Sequence, residues 1–416
     1  MKQPQNAADW RNVKLKDVCH EITVGHVGPM ASQYVDQGIP FLRSQNIEPF
    51  RLNRSDIKFI SNEFHAKLKK SALRPGDVAV VRTGYPGTAS VIPTDLPVAN
   101  CADLVIIRPS QQINARFLVS IFNSTWGRSA VAGNLVGVAQ QHFNIGAAKE
   151  MVVRLPPLPL QRKVAAILSA YDNLIENNLR RIEILEQMAQ NLYREWFVKF
   201  RFPGHQHARF TDSPLGRIPE GWEVVPLSSV VDFAKGRKPV ETRNEPITGD
   251  VRLLLIDALR GGNPKFTSPT RLVVAETRDT IMVMDGGSSC EVAQGFSGVV
   301  GSTLGRFRTT NPDRFSPHAL YRLLKEKAGE FKSKNIGAAI PHANKDYILI
   351  QVVPLPPQTI ALRFHDYLEP IQGTIEILKT KNTTLRCTRD LLLPRLISGE
   401  VDVSALDIAV PEEASA

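Results

Sequence analysis

The chain repeats itself, and the repeat limits what it can fold into more than any other feature. Trp10-x-x-Val13-x-Leu15-x-x-Val18 returns as Trp222-x-x-Val225-x-Leu227-x-x-Val230, 212 positions later. Gly137 with His142 returns as Gly337 with His342, at an offset of 200. Val152-Val153-Arg154-Leu155-Pro156-Pro157 returns as Val352-Val353-Pro354-Leu355-Pro356-Pro357, again at 200, and Ile182-Glu183-Ile184-Leu185 as Ile375-Glu376-Ile377-Leu378, at 193. Four matches in the same order, with slowly drifting offsets, describe a duplicated unit of about 200 residues.

Each copy has two parts. The first is a globule with short β-like runs between Gly and Pro: Ile39–Leu42, Val78–Val81, Leu104–Ile107 and Met151–Leu155 in one copy. The second copy has Val251–Ile256, Thr280–Met284 and Ile348–Val353. Helical stretches such as Phe117–Phe122 and Ala319–Lys327 lie among them, which predicts an α/β or α+β globule of unassigned strand order.

The second part is a helical seam. Apolar positions Val164, Leu168, Tyr171, Ile175, Ile182, Leu185, Ala189, Leu192 and Trp196 alternate gaps of four and three once Asn178 is included. That is a period of 3.5, and about 40 residues at 1.5 Å each predict a rod of roughly 60 Å. The second seam runs through Phe364, Leu368, Ile371, Ile375, Leu378, Asn382, Leu385 and Leu392, with Arg389 as a polar exception. Pro370 predicts a kink or a fresh helix start, since an interior proline costs about 3 kcal/mol. Two seams in one chain satisfy each other by packing as an antiparallel coiled coil, with Asn178 and Asn382 setting register. The expected division is a globule over 1–157, a helix over 158–200, a linker over 201–221, a second globule over 222–357, a helix over 358–403 and a frayed acidic tail over 404–416.

Charge follows the same division. Of the formal net charge of +10, residues 1–157 carry +7 and 201–357 carry +5, while 158–200 carry +1 and 358–416 carry −3. An excess on each globule is the footprint of two polyanion-facing surfaces, or ordinary surface charge. Four scattered cysteines (Cys19, Cys101, Cys290, Cys387) without a CxxC pair argue against a disulfide framework and a structural zinc site, and suit a reducing cytoplasm. No apolar run is long enough to span a bilayer, and the first residues lack the apolar core of a secretory signal.

Catalytic signatures are missing. There is no GxxxxGK[ST] phosphate loop, no HExxH, no GxSxG and no Asn-Pro-Pro-Tyr-type adenine-methyltransferase motif. The glycines of 295–305 lack the strand-turn-helix context of a nucleotide site and read as turns. His205-x-His207 is a metal-capable pair in a linker without further ligands, so it reads as a solvated loop and no metal is expected. The chain is expected to bind rather than to catalyse.

At this point a family likeness emerges. The chain resembles the specificity subunits of Type I restriction-modification systems along nearly its whole length. The resemblance rests on Ile39-Pro40-Phe41-Leu42-Arg43-Ser44-Gln45-Asn46-Ile47, Gly76-Asp77-Val78 leading to Arg82-Thr83-Gly84, and Gln140-Gln141-His142-Phe143. It continues in Leu155-Pro156-Pro157-Leu158-Pro159-Leu160-Gln161, Leu192-Tyr193-Arg194-Glu195-Trp196-Phe197 and Phe202-Pro203-Gly204. Leu215-Gly216-x-Ile218-Pro219-x-Gly221-Trp222 and Leu392-Leu393-Pro394-Arg395-Leu396-Ile397-Ser398-Gly399-Glu400 complete it. The second copy departs where Val251-Arg252-Leu253-Leu254-Leu255-Ile256-Asp257 replaces the Pro-Phe-Leu-Arg-Ser-Gln-Asn run, and where Pro341-His342-Ala343-Asn344 replaces Gln-His-Phe-Asn.

The resemblance implies two target recognition domains, each reading half of a split sequence in double-stranded DNA. Paired helices would hold them apart and dock methyltransferase subunits, expected to be two. It places S-adenosylmethionine on those partners, and ATP and Mg on restriction subunits, with no cofactor on this chain. Asn, Gln and Arg suit base edges and Lys and Arg suit phosphates. The expected contacts are Arg43, Gln45, Asn46, Arg82, Tyr85, Gln140 and His142 in the first globule. In the second they are Lys235, Arg237, Lys238, Arg260, His342, Asn344 and Lys345. Structural roles compete: Gln45 and Asn46 as strand-end caps, His142 as a satisfied histidine, Tyr85 as a turn residue. A stand-alone DNA-binding regulator and a pure interaction scaffold are the rival readings.

Overall fold

The duplication is visible in the strand order. A computed structural model describes residues 10–135, 142–337 and 341–411, in two compact units. The first unit is Met1–Asn178 with Lys381–Ala416, and the second is Leu179–Thr380. Each is therefore one globule together with a segment of each long helix.

In the first unit an antiparallel sheet has the order Ala89–Val91, Val78–Val81, Leu104–Pro109, Cys19–Val24. A second sheet runs Tyr34–Val35, Lys58–Ile60, Ile39–Leu42, Ala99–Cys101, Ala72–Leu73, with Ile39–Leu42 and Ala99–Cys101 parallel. In the second unit the order Val292–Ala293, Thr280–Val283, Leu304–Thr309, Val231–Lys235 repeats the first sheet. The order Lys265–Thr267, Val251–Leu254, Gly298–Val300, Val274–Ala275 repeats the second sheet less its edge strand, with the same parallel pair. Arg11–Lys14 pairs with Val152–Leu155, and Glu223–Pro226 with Val352–Leu355, so each globule is closed where its chain enters and leaves.

The local chemistry explains these elements. Leu104, Val105, Ile106 and Ile107 are all fully buried, because helices cover one face of their sheet and the second sheet the other, so the strand has no polar alternation. Asn114, Ser124 and Asn144 each accept the backbone N–H three residues on and start the helices Ala115–Asn123, Thr125–Ala132 and Ile145–Glu150. Two expected boundaries shift. Val251–Leu254 ends in the helix Ile256–Leu259, and Ile348 lies in the helix Lys345–Leu349 ahead of the strand Val352–Leu355.

The long helices span Leu158–Tyr193, followed by a π-helical turn Arg194–Val198, and Gln358–Ile397. Leu168, Ile175, Trp196, Leu368, Ile375 and Leu378 are buried, while Tyr171, Ile182, Leu185, Leu192, Ile371 and Leu385 are half-buried. A two-helix pair shields its seam from one side only, which accounts for the second group. Within the first unit Asn178 Nδ2 donates to Asn382 Oδ1 at 2.8 Å, and Arg389 to Asp172 Oδ1 at 2.6 Å, so the two segments run antiparallel. Burial pushes the Asp172 carboxyl up to about 6 even beside that guanidinium. Arg389, the polar exception of the seam, is thus a buried cation with a partner. Its guanidinium also lies 4.4 Å over the Phe50 ring. Within the second unit Trp196 meets Phe364 at 5.4 Å and Tyr367 at 5.7 Å.

Three expectations are corrected. Of the two outcomes expected at Pro370, the fresh helix start does not occur, since Gln358–Ile397 continues through it. Leu368 and Ile375 on either side are fully buried, and burying such a side chain yields about 1.5–3 kcal/mol, enough to offset the proline. The segment 201–221 is an ordered element rather than a loose linker: Phe210–Ser213 pairs with Gly216–Pro219, and Phe202 and Trp222 join the core. His205 Nδ1 donates to the Phe202 carbonyl at 2.9 Å. The tail is bound through residue 411, with Val403 buried and Lys163 donating to the carbonyls of Ser404 and Leu406. Among the described residues no helix is long and apolar enough to cross a membrane.

Candidate nucleic-acid interface

In the second globule a glycine sets the site. A Cβ on Gly236 would lie 2.2 Å from the Gly301 carbonyl oxygen and 2.3 Å from that of Val300, so only glycine lets Val231–Lys235 pass its neighbour. The chain then emerges with Arg237 and Lys238 exposed, and among the described residues neither pairs with an acid. Behind them Asp285 binds Lys235 at 3.1 Å and His342 Nδ1 at 2.8 Å. Lys345 places its ammonium 5.6 Å over the Phe233 ring, two residues before Lys235. Arg260 is held by Ser288 and Glu291, both at 2.7 Å, on the loop that begins with Asp285. The structure thus brings Lys235, His342 and Lys345 to one surface beside Arg237 and Lys238.

The first globule uses a different acid. Asp56 receives Arg43 at 3.0 Å, Gln45 at 3.1 Å and Lys58 at 2.6 Å. Hydrogen bonds from Lys58, then Arg43, hold its carboxyl down at about 2. Gln45 is exposed, whereas the Arg43 side chain is mostly covered. Tyr85 is 85% exposed, at the tip of a turn made by Gly84 and Gly87 in the left-handed region, which leaves its ring in solvent.

Other candidates have internal duties. Asn46 is fully buried. It accepts from the Arg43 N–H at 3.0 Å and donates to the carbonyls of Asn53 and Ser55, so it braces a turn and offers no surface to DNA. Asn344 caps the helix Lys345–Leu349 by accepting from the Tyr347 N–H at 3.0 Å. Arg82 pairs with Asp103 at 3.2 Å and donates to the Phe143 carbonyl at 3.2 Å, which clamps that segment to the sheet. His142 is half-buried, and Gln140 lies outside the described residues.

One position went unread in the sequence. Gly25 repeats the Gly236 crossing, since a Cβ there would lie 2.9 Å from the Cys101 carbonyl oxygen. His26 therefore stands where Arg237 stands, with its ring edge-on to Phe64 at 6.1 Å. The offset of 211 between Gly25 and Gly236 matches the repeat and was the available signal.

Known proteins share this organisation. Residues 7–187 match the family model described as the Type I restriction modification DNA specificity domain. The chain is 26% identical over 419 residues to the Type I restriction enzyme MjaIX specificity subunit of Methanocaldococcus jannaschii, covering 96% of this chain and 95% of that protein. A putative type I restriction enzyme MjaX specificity subunit from the same organism is 22% identical over 415 residues, covering 95% and 94%. The fold is similar to the crystal structure of the Type-I restriction-modification system S subunit from M. genitalium, with a TM-score of 0.57 at 14% identity over 95% of this chain and 98% of that one.

Proposed function

We infer that this chain is a specificity subunit of a Type I restriction-modification system, and that it selects the DNA sequence on which partner subunits act. It performs no chemistry itself. Each globule reads one half of a bipartite site, and the long helices dock the methyltransferase subunits, two per chain. The methyl donor S-adenosylmethionine belongs to those subunits, and ATP and Mg2+ to the restriction subunits.

The observation that carries this reading is the doubled strand order, in which both copies end a strand at a glycine crossing and project polar side chains beyond it. Lys and Arg without acid partners anchor phosphates and confer no sequence preference, while Gln45, Tyr85 and His342 are placed for bases. Replacing Arg237, Lys238 and Lys345 together by alanine is expected to weaken DNA binding by the assembled methyltransferase about 10- to 100-fold. The slope of log affinity against log salt falls by about 2 to 3, as the loss of three phosphate contacts requires. Fluorescence anisotropy across a salt series reads both quantities. An unchanged slope would take these residues off the DNA.

A further inference from the structure

Two imidazoles and a carboxylate converge in the second unit. His318 sits in the first turn of the helix Pro317–Ser333, and His365 and Glu369 lie one turn apart on Gln358–Ile397. His318 Nε2 is 2.8 Å and His365 Nε2 3.7 Å from the same Glu369 oxygen, and one ligand atom from each residue lies within 4.8 Å of the others.

The surroundings orient all three groups. Gln294 spends its amide hydrogens on the carbonyls of Arg278 and Pro317, at 2.9 and 3.2 Å. Its oxygen therefore faces His318 Nδ1 at 3.3 Å and fixes that nitrogen as the donor. This directs His318 Nε2 at the carboxylate, where two acceptors so close share either a proton or a metal cation. His365 Nδ1 lies 3.3 Å from the Ser316 hydroxyl, which likewise leaves its Nε2 toward Glu369. Arg278 binds the other carboxylate oxygen and holds Glu369 in place. Outer-shell bonds of this kind set the tautomer and direction of metal-binding histidines. His365 also lines a cavity of about 270 Å3 whose wall carries Glu276, Asp279 and Asp313 together with Arg278 and Arg308, and Arg308 pairs with both Glu276 and Asp279.

We propose that His318, His365 and Glu369 form a site for a divalent transition-metal ion of the zinc class, which clips the globule's helix to the second long helix. Two imidazoles and one carboxylate suit such an ion, with the remaining positions left to water. The sequence showed no metal signature because the ligands come from two helices, with His318 and His365 47 positions apart.

The test is calorimetric titration of the full chain with Zn2+ alone, with Co2+ absorption in the visible as a second readout. One equivalent binds with a rise in the melting temperature of the second unit, and Co2+ develops an absorption band. His365→Ala and Glu369→Gln each weaken binding at least about 10-fold and abolish the band, while Gln294→Leu weakens it by about 10-fold through the outer shell. Glu369→Gln keeps the size of the side chain, and circular dichroism establishes that it folds. No binding by the folded wild-type chain overturns the proposal. So does binding that survives both ligand variants, or that is lost instead on replacing His205 and His207.

Discussion

Replacing residues 10–155 by the corresponding globule of a Type I specificity subunit is expected to change one half of the methylated sequence and leave the other half as it was. The expectation follows from how the globule is closed. Arg11–Lys14 pairs with Val152–Leu155, so chain entry and exit lie side by side and the segment between them is exchangeable as a block. Each unit has its own core. Val164, Leu168, Leu393 and Leu396 of the long helices contribute to the first core. The incoming globule therefore has to present matching apolar residues to them, or the exchange fails by misfolding, which a melting curve detects. A base pair that no longer matches its reader costs about 1–3 kcal/mol, so mismatches across a half-site add up to a full change of preference. A chimaera that folds and alters both half-sites at once would contradict independent reading.

Arg322→Met is expected to destabilise the second unit by on the order of 3 kcal/mol, the usual consequence of removing one partner of a buried ion pair. Arg322 lies in the helix Pro317–Ser333 with its side chain 2% exposed, and its guanidinium binds Glu186 of the first long helix. Lys325 reaches the same carboxylate at 2.9 Å, and Gln190 donates to the Arg322 carbonyl at 3.2 Å. Burial alone would raise the Glu186 pKa, yet Arg322 and Lys325 together hold it below its ordinary value. Methionine takes the volume of the arginine stem and leaves the carboxylate with Lys325 alone. For a unit of this size 3 kcal/mol corresponds to about 6–12 °C in melting temperature. The double replacement Arg322→Met with Glu186→Leu recovers most of the loss, because an apolar pair of similar volume carries no desolvation cost. Thermal denaturation of the three variants decides the point. A double variant as unstable as Arg322→Met alone would show that packing, not the stranded carboxylate, sets the cost.

Much of this architecture was legible because it rests on periodicity and duplication. The 3.5-residue seam identified both helices, and the matched tryptophans and Leu-Pro-Pro runs bracketed both globules. The strand order was hidden, since Ile39–Leu42 and Ala99–Cys101 are neighbours through contacts that no local pattern encodes. Helix continuity at Pro370 was hidden for the same reason, as the buried Leu368 and Ile375 decide it.

The site was less legible than the fold. Residue type alone cannot separate a base-reading asparagine from a capping one. Asn46 and Asn344 both serve the backbone, for a side chain as short as Asn meets its own turn first. Arg82 was read as a contact from its place in the Gly76-Asp77-Val78 to Arg82-Thr83-Gly84 motif, but its carboxylate partner Asp103 lies 21 residues on and gave no local signal. His342 was marked by the repeat and Lys235 and Lys345 by their charge, while the joining of Lys235 and His342 through Asp285 required the fold. The tail after Ser404 looked free by composition, whereas Val403 and Lys163 bind its start.

The most direct test of the central claim is a base-resolution map of methyladenine in host DNA, with and without this gene. One split motif, two short half-sites around a fixed gap, is expected to lose its methylation when the gene is removed and to regain it on complementation. A methylation pattern unchanged by deletion, in cells whose partner methyltransferase is expressed, would contradict the assignment of sequence choice to this chain.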